Sequence, residues 1–543
     1  MKKCILNYRS LTAIITGVIC GYAIGSGWYY AVGLILIVSG IFIFFKKHLR
    51  EETIFALLLT ASLPWANEFG YGPLEFGFTV YPAYIFAFIG MALMFKNMVK
   101  TRNYSLISTP VDKYLLFLLY VMIVSTAQSR FINPVLNIVQ SSANSIFNRI
   151  PGIRSFAQVA AIIYMALIYY FVVNAIKTKK EFIILLKVLF FSGAAISVYG
   201  LISYYLQSDC SFLGDPYNLY YGKFAGYFNT MKRWFGGCPV YINGLGNKRI
   251  STLFSEPMIL SMYLVSFLPI ACSLVFVKQK WIGRFCLSGV ILLVLLTLFF
   301  SFSRSGWLSF FASVIVIAVF YLTRLKWNKK KFVVSALAFF ITALVLILLI
   351  SAIFHKGLTN IKSTLQFQSE GMPDFSRMKK MISGQTLAVG EYREAEWGPL
   401  LRINDSVAGI RMWLDHPILG IGWGNYIFHY NKYDPHIIEW SWETTTPANS
   451  VVGNLIVNFL AETGLIGFII FALFIFKFAA VLISAINSTN DAFWKAVLIG
   501  YLGSFTAVFI SYFFIPNLYF TFVWVMLGMA MAAVRISRKQ DVN

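Results

Sequence analysis

Long apolar runs, one after another, constrain this chain more than any other feature. A bilayer core about 30 Å thick takes ~20 consecutive apolar residues to cross as a helix. Such runs recur from one end of the sequence to the other, and we read about fourteen of them: 11–26, 28–45, 53–66, 79–96, 113–128, 156–176, 182–206, 253–276, 284–302, 306–323, 332–354, 464–484, 493–514 and 517–535. The chain is 58% hydrophobic and 12% charged, where soluble domains are nearer ~25% charged. In lipid every backbone N–H and C=O must find its partner within the segment. The expected fold class is therefore an all-α polytopic membrane protein. The opening MKKCILNYRS, followed by LTAIITGVIC, has no small-residue cleavage site and reads as a retained first span.

The formal charge is +23, which in a soluble protein would suggest nucleic acid. Its distribution gives a different reading. KKHLR (46–50), KNMVKTR (96–102), KTKK (177–180), KQKWIGR (278–284), RLKWNKKK (324–331) and RISRK (535–539) alternate with connections that are poor in charge or long. Basic residues that fall on one side of every pair of spans are topology signals. We expect no nucleic-acid partner and both termini in the cytoplasm. Two long segments, 208–252 and 355–450, then lie outside. The second has nearly equal numbers of acids and bases, so it reads as a folded functional region rather than a topology signal. The chain divides into N-terminal spans with the loop 208–252 (1–250), a core containing the loop 355–450 (251–485), and C-terminal spans with the tail (486–543). Cys210 and Cys238 share the first outer loop, and an oxidising exterior permits a bridge between them.

Four stretches meet at the outer surface in this topology. SFSRSGWLSF (301–310) places Arg304 in the shortest outer turn, between two very apolar runs. RISTLFSEPM (249–258) brings Arg249 to the boundary and Glu256 about a turn inside it, where a carboxylate is costly unless paired or facing water. INDSVAGIRMWLDHPILGIGWGNY (403–426), preceded by Arg402, offers Asn404, Asp405 or Ser406 as helix caps. A short helix carrying Arg411 should follow, with His416 and Pro417 ending it and Gly420, Gly422 and Gly424 forming a turn with exposed amides. TPANSVVGNLIVNFLAETGLIGFIIF (446–471) begins an apolar stretch too long for one ordinary span. We split it into a helix capped by Asn449 or Ser450 and ending at Gly464, and a span from near Leu465. Asn454, Asn458 and Glu462 line one face of the first part. Guanidinium forks match phosphate oxygens in pairs, so arginines beside capped helix starts and a glycine turn read as an anion site. No carboxylate pair or histidine cluster stands at metal-ligand spacing, so we expect no metal or other cofactor.

These motifs, in this order, resemble the O-antigen ligase and polymerase-like membrane proteins. The likeness rests on SRSGW, on HPILGIGWGN, and on NSVVGNLIVNFLAETGLIGF closing with Glu462, Gly464 and Gly467, and it is best over about 250–480. It implies a GT-C-like fold and a metal-independent inverting glycosyltransferase. The donor would be an oligosaccharide on undecaprenyl diphosphate, and the acceptor a second glycan or a lipid-anchored one among the membrane lipids. On this resemblance Arg304 and Arg249 hold the diphosphate, joined by Arg411 and Arg402, with Asn449 and Glu462 also in the substrate site. Glu256 or His416 serves as the base. Many ligases have a histidine before the asparagine of the last motif; here it is Ala448, which favours a polymerase-like member or another base. The competing reading from a different class is a transporter or flippase for lipid-linked oligosaccharide, which would place its charges near the membrane midplane.

Overall fold

The computed structural model describes residues 49–65, 82–132, 151–205, 210–211, 240–242, 248–254, 256–277, 281–324, 394–435 and 452–540. Their helices are α1 (Glu51–Ala61), α2 (Pro82–Thr101), α3 (Asp112–Ile132), α4 (Pro151–Ala175), α5 (Lys179–Tyr205), α6 (Pro257–Val275), α7 (Trp281–Phe300), α8 (Arg304–Arg324), α9 (Glu394–Asp415), α10 (Tyr426–Tyr433), α11 (Leu455–Ser488), α12 (Ala492–Ser511) and α13 (Thr521–Gln540). Among the described residues, 9 helices are long and apolar enough to cross a membrane. The protein is an all-α polytopic membrane fold. The spans expected at 11–26, 28–45 and 332–354 lie outside the described residues.

The span expected at 53–66 is instead the 11-residue helix α1, followed by a single 3₁₀ turn, Leu63–Trp65. Pro64 has no N–H to continue the ladder, so the helix closes before it. One addition to the helical fold is a small sheet within the loop 208–252. Its strands are β1 (Cys210–Ser211), β2 (Val240–Ile242) and β3 (Lys248–Ile250), with β1 parallel and β3 antiparallel to β2. Cys238 lies outside the described residues.

The bundle packs tightly where side chains are small. α12 lies against both α6 and α8; a Cβ on Gly500 would come within 2.6 Å of Ile270 Cα. With no water to exclude between helices in lipid, close backbone approach and interhelical hydrogen bonds do the joining. Ser273 Oγ donates to the Ala496 carbonyl at 2.6 Å, and Ser309 and Ser511 hydroxyls meet at 2.9 Å.

The two ends of the bundle differ in chemistry. At one end Arg50 pairs with Glu181 at 3.0 Å, Lys179 pairs with Asp491 at 2.9 Å, and Arg535 donates to the Ile176 carbonyl. The connections carrying Lys100, Arg102, Lys177 and Lys180 are at this end as well. The opposite end gathers the small sheet, the start of α6, the α7–α8 turn, α9, α10 and the start of α11.

Candidate active site

The site is built on the heads of α6, α8 and α11, with α9 laid against them. α7 ends at Phe300, and the chain reverses through Phe302, whose φ is 48°. Arg249 clamps this reversal: Nε donates to the Ser301 carbonyl at 3.0 Å and Nη2 to the Phe302 carbonyl at 3.2 Å. Ser303 then caps α8, its Oγ accepting from Gly306 N at 3.3 Å and from Ser261 Oγ at 2.9 Å. A Cβ on Gly306 would fall 2.6 Å from Ser261 Cβ, so only glycine lets α8 approach α6 this closely. The result is an exposed Arg304 as the first residue of α8. The unpaired N–H groups of a helix's first turn favour anions there.

Glu256 stands immediately before Pro257, the first residue of α6, and is exposed. It is at the helix mouth rather than a turn inside, because proline is preorganised for the first helical position and starts the helix there. Its electrostatic partner is Arg402, on α9. Arg402 Nη2 lies 3.3 Å from Met258 Sδ, and its stem passes over Gly453, where a Cβ would meet Arg402 Cβ at 2.8 Å. Burial pushes the Arg402 guanidinium below its ordinary pKa; Glu256 opposes this, Arg304 adds to it, and Asp405 opposes it. Arg304, Arg402, Glu256 and Asp405 therefore form one cluster, assembled from three separate stretches. Asp405, 2% exposed, is a cap candidate in the sequence and in the fold is a member of this cluster instead.

α9 is longer than the sequence suggests. It begins at Glu394, so Asn404, Asp405 and Ser406 lie in its interior. Two of them serve tertiary partners instead of helix amides: Asn404 Nδ2 donates to Tyr430 Oη at 2.6 Å and Asp434 Oδ1 at 3.0 Å, and the Asp405 carboxyl bonds the Tyr430 side chain. Arg411 follows Arg402 by two and a half helical turns, hence on the opposite face of α9. It is exposed, and its Nη1 is 3.4 Å from the Asp434 carbonyl. His416, after the end of α9, faces His429, whose imidazole is held down to about 4 by burial, with His416 and Lys432 repelling its charge.

The glycine turn docks onto a break in α11. Gly464 has φ 65° and ψ −167° and interrupts the helix, as its place in the sequence predicts. Across the break, Leu465 N donates to the Pro417 carbonyl at 2.8 Å and Ile466 N to the Ile418 carbonyl at 3.3 Å. In the other direction, Ile421 N donates to the Ala461 carbonyl at 2.9 Å and Gly422 N to the Glu462 carbonyl at 3.0 Å. Gly420, Gly422 and Gly424 all have positive φ. Their amides are not an open anion cradle, for the side chain filling it is the protein's own Glu462. Its carboxylate accepts from Tyr426 N at 3.0 Å, from the Gly424 amide, and from Asn458 Nδ2 at 3.4 Å. Asn454, rather than Asn449 or Ser450, caps α11, accepting from Ile456 N at 2.9 Å. Asn449 lies outside the described residues.

Behind Glu462 is a further arginine, outside the sequence motifs described above. Arg154, 8% exposed, stands in the first turn of α4 in the electrostatic field of Glu462 and Tyr519. Tyr519 Oη accepts from Trp423 Nε1 at 2.9 Å, and Ser155 Oγ donates to Asn425 Oδ1 at 2.5 Å. The signal was available: IPGIR, like SFSR, puts an arginine at the head of an apolar run.

A helical, membrane-spanning bundle with an arginine–carboxylate cluster at its less basic end, held by α9 and a broken span, defines a class of polytopic membrane protein. Within it, residues 288–472 match the O-antigen ligase family, and the chain carries an O-antigen ligase-like domain. No curated protein matches the chain significantly. The matched stretch includes Arg304, Arg402, Asp405, the glycine turn and Glu462, and leaves out Arg249 and Glu256.

Proposed function

We propose that the protein is a membrane glycosyltransferase of the O-antigen ligase/polymerase type. It moves a glycan from undecaprenyl diphosphate to the hydroxyl of a glycan or lipid-anchored acceptor. The observation that carries this reading is the convergence of Arg304, Arg402 and Glu256 at the heads of α8 and α6, the two arginines lying within the stretch that resembles the ligases. Basic residues collect at the other end of the bundle, which the positive-inside rule assigns to the cytoplasm. Both termini are then cytoplasmic and the site opens outward from the inner membrane. Charges at helix ends, rather than at mid-depth, favour the transferase over a transporter.

In this mechanism Arg304 and Arg402 grip the diphosphate oxygens. The acceptor oxygen attacks the sugar C1 from the opposite side and the C1–O bond to phosphate breaks. The anomeric centre inverts in this single displacement, and undecaprenyl diphosphate leaves with the electron pair. The acceptor proton passes to Glu256, which is favoured over His416 because it shares the arginine cluster. Arg249 acts one step back, holding the turn that presents Arg304. No metal is needed where two guanidinium groups and a helix N-terminus meet the leaving charge. Removing one such donor typically costs ~10²–10³ in rate.

The test is the surface-glycan pattern of a deletion strain complemented with wild type, Arg304→Ala or Arg402→Ala at matched protein level. Single repeats on the anchor identify a polymerase; long glycan stranded on the lipid carrier identifies a ligase. An unchanged glycan pattern in the deletion strain would overturn the proposal.

A further inference from the structure

The outward face of α9 is apolar where an external helix should be polar. Asn404, Asp405, Ala408 and Met412 are its buried face, packed with Val452 and Ala461 of the α11 region. Ile403, Val407, Ile410 and Leu414 form another stripe, at i, i+4, i+7 and i+11, with one more apolar residue, Ile418, just past the helix end. Ile410 is 40% exposed and Leu414 and Ile418 are each 64% exposed. A helix resting against its own protein normally turns charges outward, and a contiguous exposed apolar patch marks a binding surface.

Continuity decides what covers it. The Ile418 carbonyl is hydrogen-bonded to Ile466 N, and Ile466 begins the exposed strip of α11: Leu465, Ile466, Ile469, Leu473 and Phe476. On a membrane-spanning helix that strip faces acyl chains. The α9 stripe therefore meets the lipid-facing surface at Ile418 and Ile466. Beside it are Trp413, its Nε1 donating to the Pro417 carbonyl at 3.2 Å, and the exposed Arg411. Tryptophan and arginine are the residues that anchor at the headgroup level.

We infer that the C-terminal half of α9, with the turn through Ile418, is an interfacial anchor seated in the phospholipid leaflet at the site end of the bundle. An amphipathic helix of this kind buries its apolar face at the headgroup–acyl boundary. Arg402, on the protein side of α9, is thereby fixed at headgroup depth. The inference rests on the membrane fold and not on the transferase reading, so each can fail without the other.

The test uses the full chain purified and reconstituted into phosphatidylethanolamine–phosphatidylglycerol vesicles. The photocrosslinker p-benzoylphenylalanine is introduced at Leu414, or at Ile410 should that variant fail to fold. Phe476 is the lipid-facing control and Lys432 the aqueous control. After irradiation, mass spectrometry should find phospholipid adducts at Leu414 and Phe476, and none at Lys432. Adducts at Leu414 to other segments of the chain or to a second copy would overturn the inference. So would an absence of lipid adducts there while Phe476 gives them.

Discussion

Replacing Gly464 by alanine should release the glycine turn and α9 from the bundle. Its backbone, at φ 65° and ψ −167°, lies in a region essentially reserved for glycine, where another residue costs ~1–3 kcal/mol. The new Cβ would also fall 2.3 Å from both the carbonyl carbon and oxygen of Ile418 and 2.6 Å from Leu419 N. These are backbone atoms, so no rotamer change relieves the overlap. The loop must retreat, and the bonds from Leu465 N to Pro417 and from Ile466 N to Ile418 go with it, at ~1 kcal/mol each. Together the loss is ~3–5 kcal/mol against the docked state. At ~1.4 kcal/mol per decade, even the lower figure raises the open population about a hundredfold. Hydrogen exchange measured by mass spectrometry on peptides covering 416–426, in reconstituted protein, reads that population directly. Exchange in Gly464→Ala within about threefold of wild type would refute the reasoning, because the docking would then not depend on this close approach.

Other outcomes follow from the same geometry. Glu462→Ala should lower thermal stability more than Glu462→Gln, since alanine strands the Tyr426 and Gly424 amides at ~1–3 kcal/mol each while glutamine keeps one acceptor; equal melting of the two variants would count against it. His429, unprotonated in the fold down to about pH 4, takes a proton near 6.5 once unfolded. Its contribution is full above pH 6.5 and is lost as pH falls towards 4, a change of ~3 kcal/mol; His429→Phe should flatten that part of the melting-versus-pH curve. Arg402→Lys should restore glycan transfer poorly although charge is kept, because an ammonium lacks the planar fork; full complementation by lysine would show that point charge suffices.

Some of this was legible in the sequence and some was not, for physical reasons. Span positions follow from apolar length, and the break at Gly464 follows from an apolar run too long to cross once. The arginine-headed spans were visible because charge beside a greasy run is costly wherever it lies. What failed was partner assignment. The glycine turn was read as an open anion cradle because nothing local says that Glu462, far along the chain, fills it. Asn404 has the profile of a cap, yet Tyr430 and Asp434 claim it, so the helix starts earlier. Arg154 is visible at the head of an apolar run, but its place beside Glu462 comes from the packing of α4 near the glycine turn, which no local pattern encodes. Arg249 stands out in the sequence as a charge at a span's edge, but its bonds to Ser301 and Phe302 make it a half-buried brace for the turn.

The union of the loop with α11 is made by main-chain atoms on both sides: carbonyls of Pro417 and Ile418, amides of Ile421 and Gly422, and their counterparts at Ala461, Glu462, Leu465 and Ile466. A joint of that kind is indifferent to most side chains. It demands glycine at a few positions and leaves the neighbouring ones to be chosen on other grounds. The region that α9 belongs to can thus change its side chains while its mounting on the membrane bundle stays the same.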